Sequence, residues 1–349
     1  MAKTYGILSD MHDVDIREVP FALSVLGHEG IDSIILNGDI SGERSGYDPQ
    51  EYLATVLDVS AKYEMDVFVL PGSHEQVKIF EPCLNHFSKK YSNIVNTFNN
   101  QKIEFPDHHL LFLQGSDFMP GKDHLDGYVL NSERESGFYK NDDGIHHKVI
   151  NPNDMKKLVT HPEKTLVFSH VPRRFDSLDS VDVAEFGEFQ DSYHEFHVQF
   201  SDDSKDILFL PITYTKNEIE KVFKDSRVRK VLYQNQVPQG TIYAPIEAAI
   251  AHKKKFPFLR FSVKKGNRGN EELTKLYAEL GITKNVTGHF HESAGKANDL
   301  EGKVVEESQF VENLFYNAAC MDRSMVGMVS VDGNKVAYEN IDLRKYRQQ

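Results

Sequence analysis

Cysteine is scarce in this 349-residue chain. Cys83 and Cys320 are the whole supply, which excludes a disulfide framework and points to a reducing, cytoplasmic setting. Long apolar runs are missing too. None approaches the roughly 20 residues that cross a bilayer. The start, "MAKTYGILSD", lacks the basic and apolar stretches of a secretion signal, so no membrane association is expected. Positive charge is in deficit: 40 Lys and Arg against 53 Asp and Glu give a formal net charge of -13. That argues against broad electrostatic wrapping of nucleic acid, although a local basic face or bound divalent cations would override the total. Internal repeats and low-complexity tracts are also lacking.

Short apolar runs and histidine are plentiful. "TYGILSD", "DSIILNGD" and "DVFVLPG" read as buried strands, separated by amphipathic segments at 16–29, 49–63 and 75–90 that read as helices. Strands alternating with helices imply a largely parallel sheet, whose buried strands are unbroken apolar runs. After residue 93, "NIVNTF", "KIEF" and "HLLFLQG" read as consecutive strands. Residues 116–148 read as a long polar loop, 152–160 as a helix, and "TLVFSH" as a further strand. Residues 171–282 hold strand-like and helical pieces and read as a partly structured insertion or cap. "SMVGMVSVDGNKVAYENIDL" reads as a hairpin turning at "DGN". The fold class expected is α/β: a core of residues 1–170 and 283–349, interrupted by the insertion.

Each buried strand delivers polar residues as it ends. The first gives Asp10 and His12, the second Asp39, and the third Ser73, His74 and Glu75. The strand at 165 gives His170, and the one at 284 gives His289 and His291. Ligands of open α/β sheets gather at the carboxyl ends of the strands. In extended backbone, residues i and i+2 point the same way, so Asp10 with His12, and His289 with His291, can address one point. Imidazoles and carboxylates suit Zn²⁺, Mn²⁺ or Fe²⁺. Two Asp and four His, with His74 besides, exceed what one tetrahedral ion needs and suit two ions bridged by a shared carboxylate.

The blocks "DMH", "GDI", "GSHE", "SH" and "GHFH", in this order, resemble the signature of the calcineurin-like metallophosphoesterases. The resemblance implies two mixed β-sheets packed face to face with helices outside. It places Asp10, His12 and His291 on a first divalent metal (Mn, Zn or Fe), Asp39 between two metals, and His170 and His289 on the second. His74 would be catalytic, stabilising charge or protonating the leaving oxygen. Ser73 stands where the family has a metal-ligating Asn. A serine hydroxyl is a shorter and poorer neutral ligand, so the second metal is expected to bind less tightly. The implied activity is hydrolysis of a phosphate ester, with a phosphodiester in a nucleotide or single-stranded nucleic acid as first choice. A phosphomonoesterase, a protein phosphatase, and a binding scaffold of low activity are the alternatives.

Other residues carry less. Arg173 and Arg174, close after His170, read either as a phosphate clamp or as a solvated loop pair; Arg44 has a weaker claim. Glu75 reads as a first-turn helix carboxylate or as a support for His74. "HKKKFPFLRFSVKKGNRGN" (252–270) mixes basic and aromatic residues. It reads first as a strand whose phenylalanines face the core while its cations are solvated, and otherwise as a site for a single strand of nucleic acid. His108, His109, His146, His147, His194 and His197 read as surface or packing residues.

Overall fold

The structure, a computed structural model, describes every residue except 1, 13, 41–45, 118–126, 141–143, 145, 246–249, 251–252, 319 and 348–349. Of residues 243–245 it describes the backbone alone. Arg44 therefore lies outside the described residues.

The chain forms two compact units, residues 1–183 with 267–349, and residues 184–266. In the first unit the opening strands are β1 (Lys3–Leu8), β2 (Ser33–Asn37), β3 (Asp66–Leu70), β4 (Ile94–Asn96), β5 (Lys102–Glu104) and β6 (His109–Leu113). Three short strands follow, β7 (Tyr128–Leu130), β8 (Gly137–Lys140) and β9 (His146–Ile150), then β10 (Thr165–Ser169). The second unit holds nearly all of β11 (Val183–Phe189) and β16 (Phe261–Asn267), with β12 (Tyr193–Phe200), β13 (Lys205–Pro211), β14 (Val228–Val237) and β15 (Ile242–Pro245) between them. The first unit resumes with β17 (Lys284–Thr287), β18 (Ala297–Asn298), β19 (Leu314–Asn317), β20 (Met325–Asp332) and β21 (Lys335–Asp342).

Two six-stranded sheets make the core, in the orders β21-β20-β1-β2-β3-β4 and β18-β19-β17-β10-β6-β5. β1 to β4 run parallel, as do β6, β10, β17 and β19. The two-residue side-chain period decides the layers. Along β1, Tyr5 and Ile7 point into an inner layer with Phe68, Leu110, Phe112 and Phe168, drawn from both sheets. Leu8, Ile34, Leu36, Val67 and Val69 point the other way and pack against α1 (Glu18–His28), α2 (Pro49–Ser60) and α3 (Val77–Lys90). On the far side, Leu111, Leu113 and Val167 pack against Leu273, Leu276 and Tyr277 of the helix Glu271–Leu280. Each such fully buried aliphatic contributes about 1.5–3 kcal/mol relative to exposure. Helices outside and two mixed sheets inside are the expected fold class.

Three expectations change. Residues 116–148 are not one loop but include β7, β8 and β9, paired as a three-stranded sheet. The expected helix at 152–160 is a 3-10 turn, Pro152–Lys157; the approach to Pro162 disfavours a longer helix. Residues 171–183 and 267–282, read as part of the insertion, belong to the first unit because Val171, Phe175, Val181 and Tyr277 are buried in its core. No helix of the described residues is long and apolar enough to cross a membrane.

In the second unit β13, β12 and β14 form one sheet and β15, β11 and β16 another. Phe189, Tyr193, Phe209 and Leu259 are buried together, with Phe256 and Phe261 packed against them. The basic stretch therefore turns two phenylalanines inward. Its cations meet acids: Lys255 pairs with Asp206, Arg260 with Asp191, Lys264 with Glu188 and Lys265 with Glu185.

Candidate metal centre

The first unit brings the strand-end residues together. Asp10 and His12 follow β1, Asp39 follows β2, His74 follows β3, His170 follows β10, and His289 and His291 follow β17. Ligating atoms lie within 4.8 Å of one another in Asp10–His12–His291, in His12–Asp39–His74, and in Asp39–His170–His289. Asp39 and His12 each stand in two groups, so the clusters form one continuous nest.

Backbone conformation aims these side chains. Asp10, Asp39 and His289 take positive φ, at 54°, 52° and 77°. Such left-handed non-glycine residues cost about 1–3 kcal/mol each and persist where their surroundings dictate them. Here neighbouring strand ends do so. Asp10 N donates to Gly38 O at 3.2 Å and Met11 N to Asp39 O at 2.7 Å. His289 N donates to Asp10 Oδ1 at 3.1 Å. Glycines let the backbones approach this closely. A Cβ on Gly38, itself at φ +84°, would lie 2.5 Å from His170 Nδ1; one on Gly288 would strike Ser9 Oγ and lie 2.6 Å from Asp10 Oδ2.

The polar network is dense. His170 Nδ1 donates to Asn37 O at 3.0 Å, which turns Nε2 toward Asp39 Oδ2 at 2.9 Å. His12 Nε2 lies 3.4 Å from Asp39 Oδ2, and His291 Nε2 lies 3.4 Å from Asp10 Oδ1. Ser73 Oγ donates to Asp39 Oδ2 at 2.8 Å, and His74 N to Asp39 Oδ1 at 2.9 Å. The His74 and His12 rings meet edge to face, centroids 4.4 Å apart. Glu75 is buried and accepts from the backbone N–H of Asp39 (3.0 Å), Ile40 (2.6 Å) and Gly72. It clasps the ends of β2 and β3 rather than capping α3.

Electrostatics favour positive charge here. Burial pushes the Asp39 carboxyl up, but the imidazoles of His170 and His12 outweigh it and hold it well below the carboxylate range. Burial pushes His170 down, but the Asp39 carboxylate wins and raises it to about 10. His291 rises likewise, to about 11, against burial and through its hydrogen bond to Asp10. A divalent cation suits such a nest. Two buried carboxylates and several imidazoles are a borderline-metal donor set. His12 Nδ1 is also buried with no hydrogen-bond partner among the described residues.

Sequence reasoning missed some neighbours. Asp117, shortly after β6, lies 3.5 Å from His289 Nε2. Cys320 and Asp322, after β19, form a further group with His291 within 4.8 Å. The two arginines make their contacts elsewhere. Arg173 is buried, its guanidinium 4.1 Å and 4.5 Å from the ring centres of Phe175 and Phe315, and it donates to Leu300 O at 3.0 Å. Arg174 is exposed and pairs with Glu271. His108 is buried between Tyr5 and Asp107, and His147 stacks on Tyr139.

Residues 3–192 match the family described as calcineurin-like phosphoesterase. The chain belongs to that family. Membership supports a metal-dependent phosphoesterase. No curated protein matches the chain. One solved crystal structure is similar over 97% of this chain and 99% of its own, at 10% identity and a TM-score of 0.50, a likeness of fold alone. The E. coli phosphoesterase YfcE is similar over 42% of this chain and 78% of its own, at 13% identity and a TM-score of 0.22, and carries no argument.

Proposed function

We propose that this calcineurin-like phosphoesterase hydrolyses phosphate esters with two divalent cations, manganese, zinc or iron. Asp10, His12, Asp39 and His291 would hold one, and Asp39, Ser73, His170 and His289 the other. The observation that carries this is the place of Asp39, whose carboxylate stands in two donor groups at once. Bound there, the ions would supply Lewis acidity at the phosphoryl oxygens and acidify a water.

The protein's own groups do the rest. His74 is the proton donor to the leaving oxygen; its backbone is fixed to Asp39 and its ring stands against His12. Glu75 keeps Asp39 and His74 in register by clasping both strand ends. The unpaired thiols of Cys83 and Cys320 suit a reducing cytoplasm.

A phosphodiester of a nucleotide or single-stranded nucleic acid is the finer reading. The "GHFH" ending supports it, and so do Lys253 and Lys254, which are exposed. The ion pairs of Lys255, Arg260, Lys264 and Lys265 weaken it. Hydrolysis of bis(p-nitrophenyl) phosphate and p-nitrophenyl phosphate with Mn²⁺ is the test. The wild type is expected to turn over the diester faster, and His74→Ala to lose about 100-fold in kcat. Equal inertness of both proteins with Mn²⁺, Zn²⁺ and Fe²⁺ would overturn the enzymatic reading. Salt-dependent binding of a short single strand, lost on neutralising Lys253 and Lys254, checks the nucleic-acid reading.

A further inference from the structure

The turn after β19 carries two donors that the proposed phosphoesterase site leaves unused, beside His291, which that site shares. Cys320 offers a sulfur, Asp322 a carboxylate oxygen and His291 an imidazole nitrogen, all within 4.8 Å of one another. The turn is laced to the end of β1 before any ligand arrives. Met321 N donates to Ser9 O at 3.1 Å and Asp322 N to Asp10 O at 3.2 Å. The Cys320 thiol faces Asp10 O at 3.7 Å. The 3-10 turn Met321–Arg323 then closes on Ser324 at φ 58°. The sulfur is buried, at 1% exposure, while His291 keeps 22%. Asp322 also lines a surface groove of about 160 Å³ with Asp15, Glu18 and Arg347, the last paired with Glu18.

We propose that His291, Cys320 and Asp322 form a further position for a thiophilic divalent cation such as Zn²⁺, Cd²⁺ or Co²⁺, sharing only His291 with the two positions around Asp39. One sulfur, one nitrogen and one oxygen make a donor set for such ions, with water completing a tetrahedron. On binding, the S–H bond of Cys320 is exchanged for a sulfur–metal bond and the proton leaves to solvent; no electron changes hands. Mn²⁺ and Mg²⁺ prefer oxygen and pass the position by. His291 also belongs to the Asp10–His12 group. A soft cation beside Cys320 therefore competes for that imidazole.

The test is a Cd²⁺ titration of the metal-free full-length protein, followed by the sulfur-to-metal charge-transfer band in the ultraviolet. The band is expected in the wild type and in Cys83→Ser, and absent in Cys320→Ser. Asp322→Asn is expected to need about tenfold more Cd²⁺ for half the amplitude, which keeps the test decisive should Cys320→Ser not fold. Calorimetry with Mn²⁺ should be the same in folded Cys320→Ser as in the wild type. That separates failure of this position from failure of the Asp39-centred pair. A wild type without the band, a band that survives Cys320→Ser, an Asp322→Asn titration like the wild type's, or Mn²⁺ binding lost with the thiol would each overturn the proposal.

Discussion

Ser73 tests the centre atom by atom. Its hydroxyl donates to Asp39 Oδ2 at 2.8 Å, so it spends its proton on the carboxylate proposed to bridge the ions. Calorimetry with Mn²⁺ is expected to show two unequal affinities in the wild type. Ser73→Asn is expected to tighten the weaker by about tenfold; two equal sites in the wild type would refute the idea. Arg173 illustrates the opposite case. Its guanidinium lies against Phe175 and Phe315, so Arg173→Met is expected to cost about 1–3 kcal/mol of stability and to leave KM unchanged. A large rise in KM at unchanged stability would restore the phosphate-clamp reading. The meeting of Asp10, His12, Asp39, His289 and His291 could be expected from the sequence because each follows an apolar run, and Asp10 with His12, like His289 with His291, stands two residues apart. It could not separate a buried arginine from a solvated one, since both follow a Val-Pro turn in the same way. The place of Cys320 beside His291 was hidden for a similar reason: an isolated cysteine is most often packing.

At the scale of elements, the centre depends on how closely the strand ends approach one another. The end of β17 lies so near that of β1 that a Cβ on Gly288 would enter the space of Ser9 and Asp10. Gly288→Ala is expected to cost about 1–3 kcal/mol in thermal or urea unfolding and to weaken Mn²⁺ binding about tenfold or more in calorimetry. An unchanged affinity would mean that this approach does not shape the nest. The long elements were legible: α1, α2 and α3 fall within the amphipathic segments, and β1, β2 and β3 are the apolar runs. Short ones were not. β7 has three residues and β8 has four, too few for a two-residue period to stand out from polar loop. Asp117 was lost with them, because Gln114, Gly115 and Ser116 separate it from the apolar run of β6.

Across the whole molecule, residues from 10 to 322 meet because two sheets pack face to face with the site-bearing strand ends at one edge. The parallel strands could be read from alternating strands and helices, and the two-sheet sandwich from the family resemblance. The borders of the second unit could not, since Val171 to Val181 and the helix Glu271–Leu280 carry core residues inside polar sequence. The pairing of its basic residues with Asp191, Asp206, Glu185 and Glu188 was equally out of reach, because partners on other strands leave no local trace. The claim beneath all of this is that the nest around Asp39 holds two cations. An anomalous-difference map from crystals soaked in Mn²⁺ tests it most directly. We expect two peaks about 3.5–4 Å apart, one beside Asp10, His12 and His291, the other beside His170 and His289, with Asp39 between them. A map with no peak there, or one lone ion that Asp39 does not touch, would contradict the account.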